Sequence, residues 1–220
     1  MRIGVMGGTF NPFHIGHYET ALEVKRIASL DQMILVPSHT SPHKENLSDI
    51  ISPIHRYTMA VLGTIGEREL EVSSMEIEAG GISYTYKTVE LLLNRFETGD
   101  RLFYITGVES FEKIESWKNW ESLVESVDFI INSRAGYKTR DLLRSIPKHL
   151  VERCVLVKDA GVFMKKNRKS RKIYIVETKK INVSASAIRR RIASGDSIEE
   201  MVHPLVKTYI ESNKLYVKEE

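Results

Sequence analysis

Two histidines three residues apart, His14 and His17, follow directly on Gly7-Gly8-Thr9-Phe10-Asn11-Pro12-Phe13 near the start of the chain. On the first turn of a helix that spacing puts both imidazoles on one face, beside the positive end of the helix dipole, where they can donate to anionic oxygens. The glycine pair carries no Cβ, so the backbone there can turn tightly and approach a phosphate. Amides that open the following helix point at anions, and Gly16 leaves room for a flat ring such as adenine. Upstream, Arg2-Ile3-Gly4-Val5-Met6 is short and apolar, as a buried parallel strand is, and is expected to end at the glycines. Together these residues make a polyphosphate cradle. Other phosphate motifs are missing: there is no Gly-x-x-x-x-Gly-Lys-Ser/Thr, and Gly4 to Gly8 does not fit Gly-x-Gly-x-x-Gly.

A second candidate grip lies about 170 residues later, in Val183-Ser184-Ala185-Ser186-Ala187-Ile188-Arg189. Hydroxyls at a helix start followed by an arginine combine hydrogen-bond donors with a permanent charge. Taken alone, the segment is an N-capped basic surface helix. The two strings together resemble the paired signatures of the nucleotidylyltransferases, whose fold is similar to the catalytic core of class I aminoacyl-tRNA synthetases. That resemblance implies catalytic roles for His14, His17 and Arg189. It also implies ATP contacts from Gly7, Gly8, Thr9, Phe10, Gly16, Ser184 and Ser186, with Mg²⁺ bound mainly through the ATP phosphates. Ala185 stands where the family usually has a hydroxyl.

Four further segments resemble one branch, the bacterial nicotinate mononucleotide adenylyltransferases. Pro37-Ser38-His39-Thr40-Ser41-Pro42-His43-Lys44 is similar to its Pro-x-x-x-Pro-His-Lys segment. Ser83-Tyr84-Thr85-Tyr86 is similar to Ser-Tyr-Thr-x-Asp-Thr, with Lys87 replacing the acid. Thr106-Gly107-Val108-Glu109-Ser110, followed by Trp117, is similar to Gly-x-Asp-Ser…Trp, with Glu109 in place of Asp. Ser133-Arg134-Ala135-Gly136-Tyr137 is similar to Arg-Pro-Gly-Tyr. The resemblance implies that Gly107 and Glu109 touch ATP, and that Asn11, His43, Lys44, Thr85, Trp117 and Arg134 hold the acceptor. Trp117 would stack on the pyridine, Arg134 would meet the phosphate, and Thr85 would cap a helix whose amides receive a carboxylate. Each also has an ordinary reading: Trp117 as core, Arg134 as surface charge, His43 as a solvated loop residue.

The elements that must position these residues are legible as short apolar runs at 33–36, 70–72, 102–105, 127–131, 154–157 and 173–176. Helical stretches separate them. Ser52-Pro53 reads as an N-cap and a first-turn proline, and 88–96 places Val89, Leu92, Leu93 and Phe96 at helical spacing. Alternation of this kind predicts an α/β class, a doubly wound Rossmann-like parallel sheet with the nucleotidylyltransferase fold. The pattern after Ile181 is helical: Ser184 to Ile192, a capping-box start at Ser197-Ile198-Glu199-Glu200, and Pro204 to Ile210. We expect one domain over 1–220, with an α/β core at 1–181 and a small C-terminal helical lobe at 182–220.

Composition narrows the class. At 220 residues and 42% hydrophobic content, the chain can bury one α/β core. Neither a signal-peptide pattern nor an apolar run of about 18 residues occurs, so a cytoplasmic enzyme without membrane contact is expected. The six positive charges of the 165–172 run exceed the whole-chain net charge of +3, so the remainder is mildly acidic and no specific nucleic-acid footprint is expected. That run reads as a solvated loop, and Cys154 as strand packing. Homo-oligomerisation is compatible with the sequence. The expected activity is adenylyl transfer from ATP to nicotinate mononucleotide. Three alternatives stand beside it: nicotinamide mononucleotide or phosphopantetheine as acceptor, and a non-catalytic nucleotide- or RNA-binding protein.

Overall fold

The computed structural model describes residues 1–42, 50–134, 139–157, 161–164, 171–179 and 181–217. The strands are β1 (Arg2–Gly8), β2 (Gln32–Pro37), β3 (Leu70–Val72), β4 (Arg101–Gly107), β5 (Asp128–Arg134), β6 (Cys154–Leu156) and β7 (Ile173–Thr178). They form one seven-stranded sheet in the order β3-β2-β1-β4-β5-β7-β6, parallel across β1–β4, β4–β5, β5–β7 and β7–β6. Every apolar run singled out in the sequence supplies a strand. Outward from β1 the order runs to β2 on one side and to β4 on the other. This reversal is the switch point at which open α/β sheets bind ligands.

The helices are α1 (Ile15–Ala28), α2 (Pro53–Gly63), α3 (Met75–Ala79), α4 (Thr85–Arg95), α5 (Val108–Phe111), α6 (Trp120–Ser126), α7 (Thr139–Ser145), α8 (Lys148–Val151), α9 (Gly161–Met164), α10 (Ala185–Ala193) and α11 (Pro204–Ser212). A 3₁₀ turn at Ile114–Ser116 precedes Trp117. None of the described helices is long and apolar enough to cross a membrane.

Residues fall into two compact units. The first, Met1–Gly7, Leu22–Ile34 and Tyr84–Lys180, has a core of Ile3, Val5, Phe103, Ile105, Phe111, Phe129, Ile130 and Tyr174, all essentially inaccessible. Gly4 is required there, because a Cβ would lie 2.6 Å from Leu30 Cδ1 and 2.9 Å from Ile105 Cδ1. The Arg101 guanidinium pairs with the buried Asp128 carboxylate at 2.8 Å, and Asp128 Oδ1 also accepts the Lys172 amide at 2.7 Å. A buried charge so paired avoids the desolvation cost of a lone one. The second unit, Gly8–Ala21, Leu35–Ser83 and Ile181–Glu220, buries Phe10, Phe13, Met59, Ala60, Ile188, Val206 and Ile210.

Several local expectations need correction. β1 ends at Gly8, as expected of the glycine pair, but other readings differ. Ser52 is the N-cap of α2 and Pro53 opens it, yet the Ser52 side chain makes no capping bond. Ser197 starts no helix: its Oγ accepts the Glu199 amide at 3.3 Å, and 198–202 forms turns. That local serine turn competes with helix initiation at the same backbone donors. Cys154 is half-buried rather than buried, its Sγ lies 3.4 Å from Leu150 O, and burial pushes the thiol up to about 11. It is therefore a packing residue without thiolate character at neutral pH.

Candidate active site

In the second unit, β1 delivers the chain into Thr9-Phe10-Asn11, and α1 begins directly after His14. Phe10 is buried with φ 48°, a left-handed conformation unusual for an aromatic residue. Its ring fills the space a Gly8 side chain would need, at 2.6 Å. Gly8 thus serves the packing of Phe10. Gly16 is similar, since a Cβ would meet His14 Cε1 and Nδ1 at 3.0 Å. The gap expected to hold a flat ligand is occupied by the His14 imidazole itself.

His14 immediately precedes the helix, and His17 lies in its first turn. Their rings stack with centroids 3.7 Å apart, and His17 also meets Phe10 edge-on at 4.9 Å and Phe13 at 5.5 Å. Each Nδ1 accepts a backbone amide: Gly16 N to His14 at 3.1 Å, and His14 N to His17 at 3.3 Å. An accepting Nδ1 in a neutral imidazole leaves the proton on Nε2, which makes Nε2 a donor. Burial, with a smaller contribution from His14, holds His17 well below the usual 6.5, so the ring is neutral at physiological pH. The Nε2 donors of two stacked imidazoles at a helix start are suited to phosphate oxygens.

Ser184 caps α10, its Oγ accepting the Ala187 amide at 3.2 Å while the hydroxyl proton stays available as a donor. Ser184 and Ser186 are both exposed, and the half-buried Arg189 donates from Nη1 to Asn11 O at 2.9 Å. The helix start, the two hydroxyls and the arginine anticipated for this segment are therefore present. Asn11 is buried, and its Oδ1 accepts the Tyr216 hydroxyl at 2.8 Å and the Ile51 amide at 3.4 Å.

Arg56, which sequence reasoning missed, is 1% exposed and spends its guanidinium on carbonyls. Nη1 donates to Thr9 O at 2.8 Å and Ser38 O at 2.6 Å, Nη2 to His39 O at 2.6 Å, and Nε to Ile51 O at 3.1 Å. A signal was available: Arg56, Met59, Ala60 and Gly63 are spaced as the inward stripe of a helix, an odd place for a charge. Tyr216 carried no such signal.

In the first unit, Tyr104 organises the residues expected to hold the acceptor. Its hydroxyl lies 3.4 Å from Thr85 Oγ1, and its ring meets Trp117 edge-on at 6.0 Å. A Cβ on Gly7 would sit 2.4 Å from that hydroxyl, so Gly7 too is required by an aromatic neighbour. Thr85 is not the cap of α4 but its first residue; Tyr84 holds the cap position without a side-chain bond. The amides opening α4 therefore have no side-chain cap. Gly107 ends β4, and Glu109 lies exposed in the first turn of α5. Arg134 closes β5 in register with Thr178, whose hydroxyl donates to Asn132 Oδ1 at 2.6 Å. His43 and Lys44, the Arg134 side chain and residues 165–170 of the basic run lie outside the described residues.

The description "Cytidylyltransferase-like" fits residues 5–191, a stretch that contains both the Gly7–His17 string and the Val183–Arg189 string. The chain belongs to that family. A relative named probable nicotinate-nucleotide adenylyltransferase from Desulfatibacillum aliphaticivorans is 36% identical over 99% of this chain and 100% of its own length. Another of the same name, from Rubrobacter xylanophilus, is 35% identical over 98% of this chain and 92% of its own. Among solved structures, nicotinic acid mononucleotide adenylyltransferase of Plasmodium falciparum, complexed with NaAD, matches with a TM-score of 0.71. It is 18% identical and covers 98% of this chain and 97% of that one. That likeness shows the fold, the nucleotidylyltransferase form of the Rossmann-like sheet.

Proposed function

We propose that this chain transfers the adenylyl group of MgATP to nicotinate mononucleotide, giving deamido-NAD and pyrophosphate in NAD biosynthesis. A stacked pair of histidines at a helix start, in a chain 36% identical over nearly its full length to a relative of that name, carries the reading.

An oxygen of the mononucleotide phosphate attacks the α-phosphorus of ATP. The new P–O bond forms as the bond to the bridging oxygen breaks, and pyrophosphate leaves with that electron pair. A phosphate monoester has its second pKa near ~6, so the nucleophile is anionic at neutral pH and needs no general base. The protein's contribution is alignment and stabilisation of charge on the transferring group. His14 and His17 donate from Nε2, Arg189 supplies fixed charge, and Ser184 and Ser186 donate to the triphosphate. Lys44 assists. Gly7, Gly8, Thr9, Phe10, Gly16, Gly107 and Glu109 shape the nucleotide contacts. For the acceptor, Trp117 stacks on the pyridine, the uncapped amides beside Thr85 receive its carboxylate, and Arg134, with Asn11 and His43, serves its phosphate and ribose.

Mg²⁺ would enter with ATP, bound mainly through its phosphates, and would neutralise phosphate charge. Among the described residues no group of three or more His, Cys, Asp or Glu side chains could hold a metal ion. The expected setting is the cytoplasm, without nucleic acid.

Pyrophosphate release, with the dinucleotide identified by mass, tests the assignment. Deamido-NAD formed only when ATP and nicotinate mononucleotide are both present supports it. No turnover with any of nicotinate mononucleotide, nicotinamide mononucleotide or phosphopantetheine would overturn it.

A further inference from the structure

The last helix ends in a way that returns the chain to the phosphate strings. At the C-terminus of α11 the Lys214 amide donates to Glu211 O at 3.1 Å and the Leu215 amide to Ile210 O at 3.0 Å, with Lys214 at φ 50°. These two bonds around a left-handed residue make a Schellman turn, which reverses the chain direction within two residues. Leu215 is buried directly after it, and Tyr216 follows at φ 64°. The reversal brings the Tyr216 hydroxyl to Asn11 Oδ1 at 2.8 Å, across 205 positions of sequence.

Asn11 is the residue on which Arg189 is fixed, since its carbonyl accepts Nη1 at 2.9 Å. Asn11 is held from its other end by the Tyr216 hydroxyl and the Ile51 amide. Arg56 binds Thr9 O and Ile51 O, the residues that border this junction. The Tyr216 bond anchors Asn11 itself, and with it the carbonyl that receives Arg189. A guanidinium aimed at a phosphate must be held within a few tenths of an ångström to keep its effect on a transition state. Burial keeps the Tyr216 phenol protonated well above its usual range, with Arg189 and Arg56 opposing that shift, so the hydroxyl is a donor at every working pH.

We propose that Tyr216 is a positioning residue for adenylyl transfer, acting through Asn11 to fix the guanidinium of Arg189. The proposal rests on the adenylyl-transfer reading above. It extends the functional unit from the two phosphate strings to the end of the described chain.

The test is a double-mutant cycle of Tyr216→Phe and Arg189→Lys in the full chain, with kcat and the KM of each substrate measured by pyrophosphate release. In the parent background Tyr216→Phe lowers kcat/KM for ATP about five- to tenfold. The acceptor KM changes less than twofold, and the melting temperature stays within about 2 °C of the parent. In the Arg189→Lys background the same substitution costs less than about twofold, because the group it positions is gone. An equal cost in both backgrounds, parent-like kinetics for Tyr216→Phe, or a Phe variant that simply unfolds would each overturn the positioning role. An active parent with an unaffected Phe variant defeats this proposal alone, whereas a parent without adenylyl transfer defeats the reading beneath it.

Discussion

His17 does its proposed work as a neutral donor, and its surroundings enforce that state. Phe10, Phe13 and His14 enclose the ring, and the His14 amide occupies Nδ1. Removing a preorganised donor to a transition-state oxygen typically costs about 10²–10³ in turnover, so His17→Ala is expected to lower kcat by that factor with little change in acceptor KM. Rates within threefold of the parent would remove His17 from the chemistry. The same burial has a consequence for folding. The folded-state pKa of His17 lies well below 6.5, so as pH falls through that value the unfolded chain takes up a proton that the folded chain refuses. Stability is therefore unaffected by this group above that range and declines below it. Urea titrations at pH 7.5 and 5.5 should show a smaller acid loss in His17→Asn than in the parent, and equal losses would contradict the burial argument.

Helices and strands were legible where one force decides them. Runs such as Met33 to Val36 and Ile173 to Val176 have no other use than burial in a parallel sheet, and they are strands. Ser184 was legible as a cap because its hydroxyl has one good local partner, the Ala187 amide. Ser197 has the same capping pattern but closes a tighter turn onto Glu199, a choice between two local bonds that spacing does not resolve. At Gly7, Gly8 and Gly16 an added Cβ would meet Tyr104, Phe10 and His14 respectively, a requirement of neighbours that the spacing does not name. Tyr104 and Tyr216 left no mark in the sequence for the same reason, and Arg56 left only a charge on the inward stripe of α2. α2 shows how closely an element and the site are linked. A Cβ on Gly63 would lie 2.5 Å from Phe13 Cδ1 and 3.4 Å from Val206 Cγ2, and the Phe13 ring stacks on His17. Gly63→Ala is expected to destabilise by ~1–3 kcal/mol through overpacking, and to lower turnover as Phe13 is displaced. A variant as stable as the parent by urea titration would show that the ring has room to yield.

Across the whole molecule, the two compact units carry different parts of the proposed chemistry. The second holds His14, His17, Ser184, Ser186 and Arg189, the donors for a triphosphate; the first holds Thr85, Tyr104 and Trp117, the ring platform and hydroxyls for an acceptor. On the proposed reading, the choice between acid and amide belongs to these residues of the first unit. A carboxylate gains charge-assisted bonds from the amides that open α4, whereas a carboxamide turns its own NH₂ donors toward them. Leaving such donors unpaired costs ~1–3 kcal/mol, so at least about a tenfold preference for the acid is expected. Lys87 and Glu109, two of the departures from the resembled pattern, are the natural modifiers of its size.

The central claim meets its most direct test in kcat/KM for nicotinate mononucleotide and nicotinamide mononucleotide, measured side by side at the same ATP and Mg²⁺ concentrations. The account predicts deamido-NAD as the favoured product, with the acid preferred by about tenfold or more. Equal efficiencies, or a preference for the amide, would contradict it.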